Sequence, residues 1–107
     1  MADNSTISVR LIPALQYVTP TTGSTVTVNA NGNVVLQINP AGTLATLTVT
    51  FPGSPTDGDR VEMGCSQIVT ALTMNGGTIV GALSSLAVGG VGTWVYSATS
   101  VSWIKTG

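Results

Sequence analysis

The sequence predicts an all-β fold, an antiparallel β-sandwich or jelly-roll-like domain of about eight short strands. Apolar and polar residues alternate with a period of two over most of the chain, which is typical of strands that bury one face. Clusters of Gly, Pro and Asn interrupt the alternation at regular intervals and mark turns. No segment carries the apolar stripe of an amphipathic helix.

The first 22 residues differ from the rest and predict an extended N-terminal arm, so that the β-domain spans residues 23–107. Alternation is brief over Ile7–Leu11, and Pro13 and Pro20 interrupt the residues after it. Proline cannot donate a hydrogen bond to a central ladder, which favours an arm or an edge segment. An arm that pairs with a neighbouring subunit and a frayed terminus are both open at this point.

The first hairpin is predicted between residues 24–29 and 33–39, which alternate on either side of an Asn-Gly pair. A two-residue loop would split the apolar residues between the two faces. A three-residue loop that ends at Gly32 pairs Val28 with Val34 and collects most of them on one face. We therefore expect the longer loop, with Gly32 in the left-handed region.

The clearest strand is Leu44–Phe51, in which threonines occupy every second position. β-Branched residues suit the exposed face of a pleated sheet, and the other face is expected in the core. A loop rich in Pro and Gly ends the strand at residues 52–58. The inward-facing residues are predicted to be Ala45, Leu47, Val49 and Phe51.

Two further strands are predicted at Arg60–Cys65 and Gln67–Met74. Residues 78–88 fit either short strands around Gly81 or an irregular crossing, and both interpretations stay open. The residues expected to face inward are Val61, Met63 and Cys65 in the first strand and Ile68, Leu72 and Met74 in the second.

The last hairpin is predicted to join residues 93–98 to residues 100–105 after a Gly-rich turn. Aromatic pairs across such strands contribute roughly 0.2–1 kcal/mol each relative to Ala–Ala pairs. The residues that share a face are Trp94 with Tyr96 on one strand and Val101 with Trp103 on the other.

The composition excludes several classes of function. Only 7% of the 107 residues are charged, the formal net charge is −1, and there is no histidine. Ordinary soluble domains carry about 25% charged residues. A nucleic-acid partner would need many more Lys and Arg residues, and no apolar run is long enough to cross a membrane. The low charge favours permanent assembly, because few charged groups would have to be desolvated.

No catalytic set can be assembled, so we expect no enzyme, no cofactor and no metal. The acidic cluster Asp57–Glu62 lacks the spacing of a calcium loop, and a solvated turn is the simpler interpretation. Gly89–Gly92 lacks the Lys of a phosphate-binding loop and is predicted to be a turn. Cys65 has no Lys or His beside it in the sequence and is expected to be a small core residue.

The aromatic residues Trp94, Tyr96 and Trp103 allow two interpretations. Their rings could stack on sugars, or they could pack in the core or at a subunit interface. Packing is favoured, because large aromatic side chains contribute most where they are buried.

Residues 43–107 resemble a recurrent pattern in structural proteins of tailed-bacteriophage virions. The pattern consists of an apolar strand, here Leu47–Phe51, a loop with prolines, an Asp-Gly pair at Asp57–Gly58 and a second alternating strand. The similarity continues through Val69–Gly77 to a hairpin from Trp94 to Trp103. Such modules occur in head-decoration proteins, head fibres and tail fibres. The resemblance implies a structural, usually trimeric virion component and transfers no active site.

Together with the short chain, the resemblance predicts a capsid decoration (cement) subunit that stabilises the phage head by bridging capsomers. We expect it on the surface of the virion head, after synthesis in the cytoplasm of the host bacterium. Its expected partners are further copies in a homotrimer and the major capsid protein. The alternatives are a head-fibre or tail-fibre subunit and a carbohydrate-binding adhesin module. The residues expected to make contacts are Ile7, Val9, Leu11, Leu15, Tyr17, Trp94, Tyr96 and Trp103.

Overall fold

The computed structural model describes residues 13–30 and 32–107, and the fold of these residues is all-β. In this part of the chain nine strands form a six-stranded sheet in the order β1-β3-β5-β8-β9-β7 and a three-stranded sheet in the order β2-β4-β6. We call them the large sheet and the small sheet. The strands are β1 (Ala14–Val18), β2 (Thr25–Thr27), β3 (Asn33–Ile38), β4 (Leu44–Thr50), β5 (Arg60–Cys65), β6 (Val69–Asn75), β7 (Ile79–Val80), β8 (Gly90–Ser97) and β9 (Ser102–Lys105).

The first six strands alternate between the two sheets. Each odd-numbered strand lies in the large sheet and the next even-numbered strand lies in the small sheet, and neighbours within each sheet run parallel. The chain therefore winds through three stacked coils, β1–β2, β3–β4 and β5–β6, in a β-solenoid-like arrangement. The all-β class is confirmed, whereas the antiparallel pairing predicted for this half of the chain is replaced by parallel pairing.

Residues at equivalent positions of successive coils stack in rows. In the large sheet Leu36 lies between Gln16 and Met63. In the small sheet Val49 lies between Val26 and Met74. The inward-facing rows of both sheets meet in one hydrophobic core. Burying each large apolar side chain contributes roughly 1.5–3 kcal/mol, which makes this core the main source of stability.

The last strands close the stack with the predicted hairpin. β8 runs antiparallel to β5 and to β9, and β7 pairs with the far side of β9. Tyr96 lies opposite Trp103, and their ring centroids are 5.4 Å apart. Phe51 contacts Trp94 and Trp103 edge-to-face, with centroid distances of 5.6 and 5.0 Å. The expected aromatic pair is confirmed, and it belongs to a cluster of four rings in which Phe51, Trp94 and Trp103 are buried and Tyr96 is half-buried.

The first predicted hairpin is wrong. Gly32 has a φ of +84°, as expected, but the chain crosses there from one sheet to the other. Val28 donates its N–H to the carbonyl of Thr50, 2.8 Å away, and Val34 lies between the flanking strands at Ala14 and Val61. A period of two tells which residues face inward but not which strand lies alongside, and a glycine with positive φ serves a crossing as well as a hairpin.

Two inward positions are also corrected. Ala45 is exposed and Leu44 is buried, and Ile68 is 45% exposed whereas Val69 is buried. The two buried residues face each other in register. The Thr22 hydroxyl accepts hydrogen bonds from the amides of Ala45 and the next residue, both at 3.1 Å, which breaks the regular alternation at this point.

Residues 78–88 contain both a short strand and an irregular crossing, the two interpretations that the sequence left open. Within 78–88, β7 is a two-residue strand, and an irregular crossing follows it. The crossing contacts β6 through a bridge between Leu86 and Val69 and through a hydrogen bond from the N–H of Leu72 to the carbonyl of Ser84 at 2.8 Å. Val101 does not share the buried face of Trp103, because it lies in the hairpin turn with a φ of +51°. The five residues of β1 fall inside the segment predicted as an arm, and all of them pair with β3.

Candidate functional site

The acidic cluster holds loops together through its carboxylates. Asp57 accepts a hydrogen bond from the N–H of Ala98 at 2.8 Å, and Asp59 accepts one from the N–H of Thr56 at 2.9 Å. Arg60 and Glu62 form an ion pair of 3.6 Å with both side chains nearly half exposed, which contributes little. Residues 13–30 and 32–107 contain no group of three or more side chains that could hold a metal ion.

The predicted contact residues fall into three groups. Trp94 and Trp103 are 0% and 1% exposed, so they offer no surface of this chain to a partner. Tyr96 is half-buried against Trp103, whereas Leu15 and Tyr17 are 62% and 56% exposed. The predicted contacts that lie outside the described residues are Ile7, Val9 and Leu11.

The outer face of the large sheet carries the exposed apolar residues of β1. Leu15 lies beside Val35 of β3, and Tyr17 lies beside Gln37 of the same strand. The row of Tyr17 continues through Gly64 of β5 to Val91 of β8, which is 65% exposed. The row from Tyr17 to Val91 contains no charged residue among the described strands.

A depression of about 350 Å³ lies along this row. Tyr17 and Val91 stand at its two ends, and Gly64 lies between them without a side chain. Neighbouring strands are about 4.8 Å apart, so the two ends are separated by about 14 Å. The depression is wide and open rather than a closed cavity, and Asn39 and Ser66 line one side of it.

A chain of hydrogen bonds fixes this polar side. The Ser66 hydroxyl donates to the Asn39 side-chain carbonyl oxygen at 2.5 Å. The Asn39 amide donates in turn to the Tyr17 hydroxyl oxygen at 2.6 Å, and the Asn39 backbone N–H donates to the carbonyl of Val18 at 2.8 Å. Because the Tyr17 oxygen accepts, its own O–H remains able to donate outward.

Of this group the sequence pointed only to Tyr17, because its members lie far apart along the chain. Only stacking of the coils brings Tyr17, Asn39 and Ser66 together. One local signal existed: Gly64 interrupts an otherwise alternating strand. A glycine inside a strand often marks a place where another molecule approaches the backbone.

The outer face of the small sheet has a different character. Thr48 lies between Thr25 and Thr73 in one row, and Thr50 lies between Thr27 and Asn75 in the next. These hydroxyl and amide groups are hydrated without any charge. The outer face of the small sheet is therefore polar and uncharged, whereas that of the large sheet combines exposed apolar residues of β1 and β8 with Glu62, which lies in the row of Leu15.

No protein-family model matches the chain, and a search of curated proteins finds no similar sequence. None of the described residues forms a helix of the length and apolarity needed to cross a membrane.

Proposed function

We propose that this chain is a structural subunit of a phage virion, a capsid decoration protein that binds through the outer side of β1. One observation carries the proposal. Leu15 is 62% exposed on a strand that, within the described residues, pairs along one edge only. An exposed apolar side chain beside an unpaired strand edge is a surface suited to another chain.

Recognition at this edge would use the backbone of β1 and apolar side chains beside it. A strand of a neighbouring protein can add to β1 through main-chain hydrogen bonds, and Leu15 and Val35 would supply apolar contact beside it. Only 7% of the residues are charged, so few charged groups would have to be desolvated. Both features favour a lasting contact between neighbours.

The partners in this proposal are other copies in a homotrimer and the major capsid protein. The subunit would sit on the head surface and bridge capsomers, and it would act without catalysis or a cofactor. The resemblance of residues 43–107 to modules of virion proteins supports this assignment.

A head-fibre or tail-fibre subunit is the second candidate, and the stacked coils favour it. Coils stack along one axis, so a neighbouring molecule can extend the stack at its open end. The adhesin alternative relied on exposed aromatic rings that stack on sugars, and Trp94 and Trp103 cannot serve in this way because they are buried in the core.

The experiment compares Leu15→Lys with Val88→Lys on phage heads that lack the protein. Both residues are exposed to a similar degree, 62% and 66%, but Val88 lies outside the β1 edge. We expect both variants to fold, and only Leu15→Lys to lose binding in co-sedimentation with the heads. Equal binding by both variants would remove β1 as the docking edge, and a virion map with the chain in a fibre would favour the second candidate.

A truncation tests the N-terminal segment separately. Removal of residues 1–20 would also remove β1 and expose one side of β3, so loss of binding could reflect loss of the fold. Removal of residues 1–12 leaves β1 in place. We expect this shorter truncation to fold and to bind heads less well, as an arm that ties subunits together requires.

A further inference from the structure

We propose that the depression on the outer face of the large sheet is a binding site for a neutral pyranose sugar. The site shares strand β1 with the proposed docking edge through Tyr17, but it does not include Leu15, which belongs to another row of the sheet. Its volume, about 350 Å³, is at the lower end of the range for small-molecule sites.

The first observation is the empty position at Gly64. A Cβ atom built there would meet Val91 at 3.7 Å and the carbonyl of Gly90 at 4.0 Å, which are ordinary contacts. The φ of Gly64 is not in the left-handed region, so neither the backbone nor its neighbours require a glycine. Glycine weakens the interior of a strand, and here its consequence is an open floor between two side chains.

The second observation is the polar group on one side of that floor. Asn39, held by Ser66, orients the Tyr17 hydroxyl and leaves its proton free to donate. The side-chain amide of Gln37 makes no hydrogen bond within the described part of the chain. Donors and acceptors therefore face the solvent together, beside the exposed ring of Tyr17.

These properties select the chemical class of the ligand. None of the described residues that line the depression is charged, so a charged ligand would gain no ion pair from them. A fully apolar ligand would leave the Tyr17 O–H and the Gln37 amide without partners. A pyranose has hydroxyl groups at its edge and C–H groups on its faces. The C–H groups suit the electron-rich face of Tyr17.

The test measures saturation-transfer NMR of the full-length protein with methyl glycosides of glucose, galactose, mannose, rhamnose and the two N-acetylhexosamines. At least one probe should bind, with a dissociation constant near the millimolar range that is typical of a few weak contacts. Gly64→Ala fills the floor with one methyl group and should weaken that binding at least about tenfold. Tyr17→Phe removes one hydrogen bond and should weaken it about fivefold.

Gly53→Ala is the matched control, because a Cβ at Gly53 meets no atom within 4 Å and its φ is ordinary. It should bind the sugar as the wild type does. Absence of a signal for every probe, equal binding by Gly64→Ala and the wild type, or tighter binding of glucuronate than of methyl glucoside would each overturn the proposal.

The two proposals fail separately. Leu15→Lys should abolish binding to phage heads and leave the sugar signal unchanged. Gly64→Ala should weaken sugar binding and leave binding to phage heads unchanged. If Gly64→Ala abolishes head binding and the wild type binds no sugar, the depression receives a protein side chain and the sugar site is refuted.

Discussion

The two ends of the large sheet are built on different principles, and we call the end with β8, β9 and β7 the closing edge and the β1 end the opening edge. At the closing edge Trp94 of β8, Trp103 of β9 and Phe51, which follows β4 of the small sheet, are at most 1% exposed, and Phe51 contacts both indoles edge-to-face. Neither indole N–H has a hydrogen-bond acceptor among the described residues, so this cluster is held by packing. At the opening edge β1 exposes Leu15 and Tyr17.

The opening edge is held instead by a polar side chain. Gln16 occupies the row of Leu36 and Met63 but turns its amide to β2. It donates to the carbonyl of Thr27 and accepts from the N–H of Asn29, both at 2.9 Å. Packing supplies most of the stability at one edge, and hydrogen bonds leave apolar surface free for contacts at the other.

The largest expected effect is at the closing edge. Trp103→Ala should lower the free energy of unfolding by about 3–5 kcal/mol, because it removes a fully buried aromatic side chain and leaves a cavity. Tyr17→Ala, at the opening edge, should lower it by less than about 1 kcal/mol. Urea unfolding of both variants measures the difference. Similar losses would mean that the two edges do not divide stability and binding.

Substitutions at two adjacent glycines measure how tightly the chain packs against the backbone of Phe51. Gly76 and Gly77 both have positive φ, +109° and +98°. A Cβ on Gly76 would lie 2.6 Å from the Phe51 carbonyl oxygen, whereas one on Gly77 would meet nothing within 4 Å. Gly77→Ala should cost about 1–2 kcal/mol from backbone strain alone. Gly76→Ala should cost a further 1–3 kcal/mol or so from the clash.

Thermal unfolding of the two variants side by side gives the comparison. A loss in Gly76→Ala no greater than that in Gly77→Ala would mean that the Phe51 backbone yields easily. The closing edge would then be less tightly packed than its burial indicates.

The sequence predicted these two edges unequally well. Alternation identified the strands that contain Val61, Met63 and Trp94, because burial of one face is a local property. The order of the strands was not predictable, because parallel coils and antiparallel hairpins impose the same period on residues such as Val26 and Val34. Pairing depends on contacts between residues more than 20 positions apart.

The role of Gln16 illustrates the same limit. In the sequence it is one polar residue among the prolines of the first 22 residues, and nothing nearby marks it as inward-facing. Its partners, Thr27 and Asn29, come within reach only after the first coil has formed. The depression at Gly64 depends in the same way on four strands from four separate parts of the chain.

Two glutamines on adjacent strands sharpen the contrast at the opening edge. Gln16→Ala should lower the free energy of unfolding by about 1–2 kcal/mol, because two backbone groups in and beside β2 lose their partner. Gln37→Ala is the control, since that side chain is exposed and should change stability by less than about 0.5 kcal/mol. Hydrogen exchange should show faster exchange at Asn29 in Gln16→Ala only. Protection of Asn29 in that variant would contradict the polar link.

The smallest effect concerns a position at the closing edge where stability is not maximised. Val101 lies in the turn between β8 and β9 with a φ of +51°, and it is 67% exposed. A β-branched residue is strained in this region, whereas asparagine tolerates it. Val101→Asn should therefore raise the free energy of unfolding by about 0.5–1 kcal/mol and the melting temperature by a few degrees.

Val88→Asn separates relief of strain from the simple loss of an exposed apolar group. Val88 is 66% exposed, and its φ is not in the left-handed region. Its substitution should leave the melting temperature nearly unchanged. If both variants gain equally, the effect comes from replacing an exposed apolar side chain, and Val101 is not strained in the free protein. If only Val101→Asn gains, the closing edge keeps a strained valine at its exposed tip. The closing edge would then be optimised for stability in its buried cluster but not at that turn.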